Sequence, residues 1–166
     1  MRRDRLDRID LKILQDLQND GRMTNVDLAK RAGISAPPCL RRVRALEQAG
    51  YIKGYHAELA AELLGFEVTF FALVGLDGQS DAVLGGFEKL MAEWPEVREC
   101  HMARGPHDFV LRIVARNTAH ENELTRKLTG APHVSTVQTI QVIGTSKDEP
   151  GVPVDAAAVQ PDEAEG

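Results

Sequence analysis

Long apolar runs are missing from this chain: no stretch approaches the roughly 20 residues that a bilayer-spanning helix needs. No apolar h-region follows the charged start from Met1 to Arg5 either. A membrane span and a secretory leader are therefore not expected, and a cytoplasmic address is. Cysteine is equally scarce. Cys39 and Cys100 are the only two, far apart and without a CxxC partner, so neither a disulfide framework nor a zinc finger is indicated. Both read as buried thiols. Nucleophile elbow, phosphate-cradling glycine loop and carboxylate dyad are also absent, and no catalytic constellation or cofactor is expected. Cys100, His101, His107, Asp108, His120 and His133 are scattered without ligand spacing, so no metal is expected.

What remains is ordinary for a globular protein, with 43% hydrophobic and 27% charged residues. The informative feature is where the charge lies. The net charge of -5 divides into a basic head and an acidic remainder: residues 1–55 hold 12 Lys/Arg against 7 Asp/Glu, and residues 56–166 hold 8 against 18. A +5 head on a -10 body suits a module that meets phosphate, carried by one that does not.

Apolar periodicity resolves the head into three helices. Leu6, Ile9, Ile13, Leu14 and Leu17 repeat at helical spacing over residues 6–19, with Asp7 as N-cap and Asp10 three residues on. After Asp20 and Gly21, Thr24 and Asp27 form an acidic variant of the capping box. They open a second helix carrying Val26, Leu28, Ala29 and Ala32, closed by Gly33. Ser35 caps a third helix, Pro37 and Pro38 fill its first turn, and Cys39, Val43 and Leu46 line one stripe. Arg41, Arg42 and Arg44 stand opposite that stripe. Beyond Gly50, residues 51–55 predict a short β-ribbon or wing. Ala29 and Gly33 permit the close helix crossing of a helix-turn-helix. The expected DNA-contacting residues are Arg22, Asn25, Ser35, Ala36, Pro37, Pro38, Arg41, Arg42, Arg44 and Lys53.

Residues 56–65 read as a hinge. Strands are then expected at 66–76, 97–104, 109–116 and 134–143, with helices at 80–94 and 118–128. The β-α-β-β-α-β order predicts an α+β, ferredoxin-like domain over residues 66–145, with both helices on one face of an antiparallel sheet. Apolar residues occur on both faces of the strands, Phe70 and Phe71 among them, so the open face calls for a second copy of the chain. Residues 146–166, rich in Pro, Ala and acids, are expected to be a disordered tail.

The segments Leu6 to Leu14, Asn25 to Ser35, Pro38 to Glu47 and Gly50 to Tyr55 resemble the leucine-responsive regulatory protein/asparagine regulator (Lrp/AsnC) family. The likeness continues through Val97 to His101, Gly105, Asp108-Phe109 and Pro132 to Val134. It implies a winged helix-turn-helix on double-stranded DNA, joined to a ferredoxin-like domain that dimerises through its sheets. It further implies assembly to rings or octamers and binding of an amino acid or related metabolite near subunit interfaces.

In that family the turn between the second and third strands carries Thr or Ser, Gly, a variable residue, an aromatic and Asp. Here it reads Arg104, Gly105, Pro106, His107, Asp108. Two hydroxyl residues of the last strand correspond to Val137 and Thr139. The resemblance therefore implies an effector set of Met102, Arg104, Gly105, Pro106, His107, Asp108, Val137 and Thr139. Asp108 would hold an ammonium group, and Arg104 would either pair with an effector carboxylate or fill the pocket against Asp108. A second resemblance, to siroheme decarboxylases of the same two-domain architecture, would give roles to His101, Arg104 and His107. The arginine-rich third helix argues against that enzyme reading. A purely structural oligomer leaves the basic head without a purpose.

Overall fold

The computed structural model describes residues 6–155, which form two compact units. Among these, residues 6–58 and 147–155 group into one unit, and residues 59–146 into the other.

The first unit is a three-helix head: α1 (Arg8–Asn19), α2 (Asn25–Ala32) and α3 (Ala36–Gln48). Each start is chemically marked. The Asp7 side chain accepts from the Asp10 N–H at 2.8 Å, and the Asp10 side chain accepts from the Asp7 N–H at 3.2 Å, a reciprocal capping box made of two aspartates. Thr24 Oγ1 accepts from the Asp27 N–H at 3.2 Å and caps α2. Gly33 adopts φ +72°, a left-handed geometry that glycine tolerates without strain, and the Ile34 N–H returns to the Ala29 carbonyl at 3.0 Å. This turns α2 sharply into α3. Ile13, Leu28, Ala29, Cys39 and Leu46 form the buried core. Asp16 is also buried, 3% exposed; it accepts from Lys12 Nζ at 3.0 Å and lies 3.6 Å from Arg31 Nη1, linking α1 to α2.

Three expectations for this unit need correction. Val26, placed on the apolar side of α2, is 67% exposed, because the buried face is satisfied by Leu28 and Ala29. Residues 51–55 form no strand, since among the described residues no second strand pairs with them. The segment is fixed another way: the Tyr51 N–H bonds the Leu46 carbonyl at 3.0 Å, and Tyr55 Oη donates to Glu47 Oε1 at 3.0 Å. Burial, then the Glu47 bond, push the Tyr55 phenol up to about 12. The tail expected to be disordered is described as far as Asp155 and packs with the head; its last eleven residues lie outside the described residues.

The second unit opens with a 3₁₀ turn at Glu62–Leu64, inside the segment read as a hinge. It continues as β1 (Val68–Leu76), α4 (Asp81–Ala92), β2 (Val97–Met102), β3 (Phe109–Ala115), α5 (Thr118–Thr129) and β4 (Val134–Gln141). The sheet is antiparallel in the order β2-β3-β1-β4, the ferredoxin-like arrangement that the element order predicts. Alternation does the sorting. Val68, Phe70, Ala72 and Val74 of β1 and Phe109, Leu111, Ile113 and Ala115 of β3 are buried against Phe87, Met91, Leu124 and Leu128 of the two helices. Lys127 Nζ lies 3.8 Å from the centroid of the Trp94 ring, closing the end of that layer with a cation–π contact.

The alternate residues line the other face. One cross-strand row runs Glu99, Arg112, Phe71, Ile140; the next runs His101, Val110, Leu73, Gln138. Arg112 Nε donates to Glu99 Oε1 at 2.6 Å, and this bond holds Glu99 below the usual carboxylate range. No helix of this unit covers the row, and Ile140 is 49% exposed. At Gly75 the β1–β4 register shifts, and a Cβ built there would lie 2.5 Å from Thr136 Oγ1. Only glycine fits that crossing without displacement.

Candidate functional site

α3 presents one continuous exposed face. Pro37, Leu40, Arg41, Arg44 and Gln48 recur at helical spacing, and all are exposed, opposite buried Cys39 and Leu46. Among the described residues the guanidinium groups of Arg41 and Arg44 make no hydrogen bond or ion pair, so both are available to a partner. Ser35 at the N-cap makes no capping bond with its hydroxyl, and Pro37 and Pro38 fall in the first turn. Arg22 and Lys53 are exposed on the flanking loops. Guanidinium groups with a free hydroxyl at a helix start can engage phosphate and the donor–acceptor edge of guanine.

Three members of the expected DNA set serve inside the head instead. Arg42 is half-buried and turned towards α1, where its Nη1 donates to Asp7 Oδ2 and Asp10 Oδ1, both at 2.7 Å. The Asp10 bond leads in raising the Arg42 pKa above its ordinary value. Burial pushes Asp7 up, but the Asp10 N–H and Arg42 outweigh it and hold the carboxyl below its usual range. Asn25 Nδ2 donates to the Ala36 carbonyl at 2.8 Å and so ties α2 to the start of α3. Ala36 is half-buried against the head core. The face also holds a residue that charge reading overlooks: Leu40, 39% exposed between Pro37 and Arg44, offers an apolar surface suited to a thymine methyl. Its signal was the helical spacing itself.

In the second unit the turn from Met102 to Asp108 joins β2 to β3. Met102, Arg104, Gly105 and Pro106 are exposed, while His107 and Asp108 are half-buried. Arg104 makes no hydrogen bond or ion pair among the described residues. Asp108 is heavily engaged: Oδ2 accepts from the Leu76 N–H at 2.7 Å and Oδ1 accepts from Gln79 Nε2 at 3.0 Å. Its own N–H donates to the Val74 carbonyl at 2.9 Å, and its carbonyl accepts from the Ala103 N–H at 2.8 Å. The carboxylate thus staples the turn to the end of β1. Its remaining lone pairs are what a ligand ammonium could use.

Val137 and Thr139 do not join this turn within one chain. Val137 pairs with Val74, which pairs on its other side with Phe109, so two strand spacings, ~10 Å, separate Val137 from β3. Thr139 lies one step further along, opposite Ala72. Gln79 was missed because its partner is 29 positions away. Beside the turn, Asp77 Oδ1 lies 2.9 Å from His133 Nδ1, and His133 takes φ +66°, a strained value for a residue with a Cβ. A separate cavity of about 360 Å³ between α4 and β2 is lined by Glu88, Met91, Val97 and Cys100 and includes none of the turn residues. No group of metal-ligating side chains occurs among the described residues, and no helix among them is long and apolar enough to cross a membrane.

A basic three-helix head with an exposed arginine face, carried in one chain with a ferredoxin-like unit that has a bare sheet, defines a two-part regulator class. Comparison with known proteins agrees. The winged helix-turn-helix DNA-binding family matches residues 6–53, and the Lrp/AsnC ligand binding domain matches residues 69–152. A leucine-responsive regulatory protein of Rhizobium meliloti is 53% identical over 144 residues, covering 86% of this chain and 92% of that protein. A Bkd operon transcriptional regulator of Pseudomonas aeruginosa is 42% identical, covering 81% of this chain and 88% of that protein. Among solved structures, a transcriptional regulator of Neisseria meningitidis in complex with L-Met superposes with a TM-score of 0.86 at 32% identity. That match covers 91% of this chain and 98% of the other.

The chain belongs to the Lrp/AsnC family of DNA-binding transcriptional regulators. Its head is of the winged helix-turn-helix DNA-binding class, and its second unit is of the family's ligand-binding class.

Proposed function

We propose that this protein is a sequence-specific regulator that acts on double-stranded DNA as a homo-oligomer in the cytoplasm and responds to an amino acid. The observation that carries the DNA reading is the α3 face on which Arg41 and Arg44 stand unpaired among the described residues, beside Leu40 and Pro37. Arg41, Arg44 and Leu40 meet base edges, while Ser35, Arg22 and Lys53 meet phosphate. Arg42 and Asn25 support that surface from behind.

The functional division is a head over residues 1–55, a hinge over 56–65, an assembly and effector domain over 66–145, and the tail beyond. Dimers form when two sheets meet through the face that carries Phe71, Leu73, Val110 and Ile140, and dimers assemble further. The effector is an amino acid: its ammonium meets Asp108 and its carboxylate meets Arg104. The complex of the Neisseria meningitidis relative with L-Met supports an amino acid as the ligand class. Val137 and Thr139 complete the pocket only if a second copy brings them to the turn. The decarboxylase reading finds no support among relatives that are named transcriptional regulators.

The test is selection of random duplexes by the purified protein with and without each of the common amino acids, paired with calorimetric titration. Enrichment of a palindromic sequence with half-sites one helical turn apart, or a multiple of it, is expected. Equal retention of all duplexes at moderate salt refutes the reading. Amino-acid binding that is unchanged in Arg104→Ala and Asp108→Ala removes the effector site from this turn.

A further inference from the structure

The C-terminal segment is held to the head by an unusual contact. Gln18, in the last turn of α1, makes a two-point bond to the main chain of Val152: its Nε2 donates to the Val152 carbonyl at 2.7 Å, and its Oε1 accepts from the Val152 N–H at 3.1 Å. A side-chain amide here takes the place of a neighbouring strand. Gly151, immediately before, has φ +71°, and a Cβ built on it would collide with the Gln18 side chain. Glycine is therefore required twice over at this position, by backbone conformation and by closeness. Val154 is half-buried. On α1 itself, Leu11, Gln15 and Gln18 recur at i, i+4, i+7, and all are half-buried, although Leu11 stands outside the three-helix core.

The charge of the segment matches its position. Residues 147–166 carry six acids against one lysine, a net -5, equal and opposite to the +5 of residues 1–55. Asp148, Glu149 and Asp155 lie within the described part. An acidic segment anchored through Val152 to the unit proposed to bind DNA phosphate acts at high effective concentration and lowers that unit's net attraction for phosphate.

We infer that residues 147–155 are an acidic strap docked on the outer face of α1, which weakens the head's hold on DNA. The inference rests on the DNA reading above for its consequence, and on the Gln18 contact alone for the docking.

Three proteins separate the two: the full chain, a chain ending at Ser146, and full-length Gln18→Ala, which keeps every acidic residue but loses the anchor. Hydrogen exchange is measured at the α1 amides, and duplex affinity is measured against the selected sequence across a salt series. Faster α1 exchange is expected in both altered proteins. The shortened chain is expected to bind duplex roughly tenfold more tightly at low salt, with the advantage fading as salt screens the competing charges. Gln18→Ala is expected to fall between the two. Equal duplex affinity for the full and shortened chains overturns the competition, and α1 exchange indifferent to the tail overturns the docking. If none of the three retains any duplex while α1 exchange quickens without the tail, the DNA reading fails and the strap stands.

Discussion

Arg42 of α3 and Asp10 of α1 meet at 2.7 Å, and the same guanidinium nitrogen reaches Asp7 at 2.7 Å, so one arginine closes over both halves of the α1 capping box. The contact joins the start of the first helix to the middle of the third. It separates two roles that adjacent arginines would otherwise share.

Arg41→Ala is expected to leave the melting temperature of the head unchanged. It should weaken specific duplex binding by about 1–3 kcal/mol if the lost contact reads a base. Arg42→Ala should do the reverse first. Melting falls, by about 1–2 kcal/mol for a half-exposed pair of charge-assisted bonds, and DNA affinity falls only as the head loosens. Calorimetric melting and footprinting of both variants check the split; unchanged melting in Arg42→Ala contradicts it.

The Asp7 carboxyl has a folded-state pKa below its unfolded value. Its stabilising contribution is therefore complete above the ordinary carboxylate range and disappears as pH falls through the lowered value. Asp7→Asn should melt below the parent protein at neutral pH and converge with it as pH falls through that lowered value. The effect is small, because the Asp7 side chain is about half exposed. A constant gap between the two melting curves at all pH values excludes this origin.

Gly75→Ala should destabilise the second unit by about 1–3 kcal/mol, since the new methyl meets Thr136 Oγ1 at 2.5 Å within the β1–β4 crossing. Adding Thr136→Ala should restore most of the loss. Denaturant titration of the single and double variants reads the coupling.

Phe71→Glu and Ile140→Asp change two neighbours on one cross-strand row of the bare sheet face. Each should convert the proposed oligomer to smaller species in sedimentation while far-ultraviolet circular dichroism stays constant, because neither residue belongs to the helix-facing core. An unaltered sedimentation profile in both moves the assembly surface elsewhere.

What could be read from sequence follows how far each interaction reaches along the chain. The capping residues Asp7 and Thr24, the break at Gly33 and the β-branched and aromatic content of β1 act over a few positions, and each stands where its neighbours indicated. The element order was enough for the sheet, since few topologies fit it. Partners distant in sequence were invisible. Arg42 looks like its neighbours until Asp7, 35 positions earlier, is brought beside it, and Gln18 carries no sign of a partner 134 positions later. The strand expected at residues 51–55 is a related case: β-rich composition there does not say whether a second strand comes to pair with it. Asp108 was legible as a charged turn residue, but not as the group that fastens its turn to β1.

The two prolines that begin α3 have a thermodynamic corollary. Their rings freeze the backbone torsions at the tip proposed to lead into the groove, so that tip would give up little disorder on docking. The selectivity of this protein should then rest on a stiff probe testing the shape of each duplex, with mismatched sequences rejected by fast release instead of by refolding of the reader.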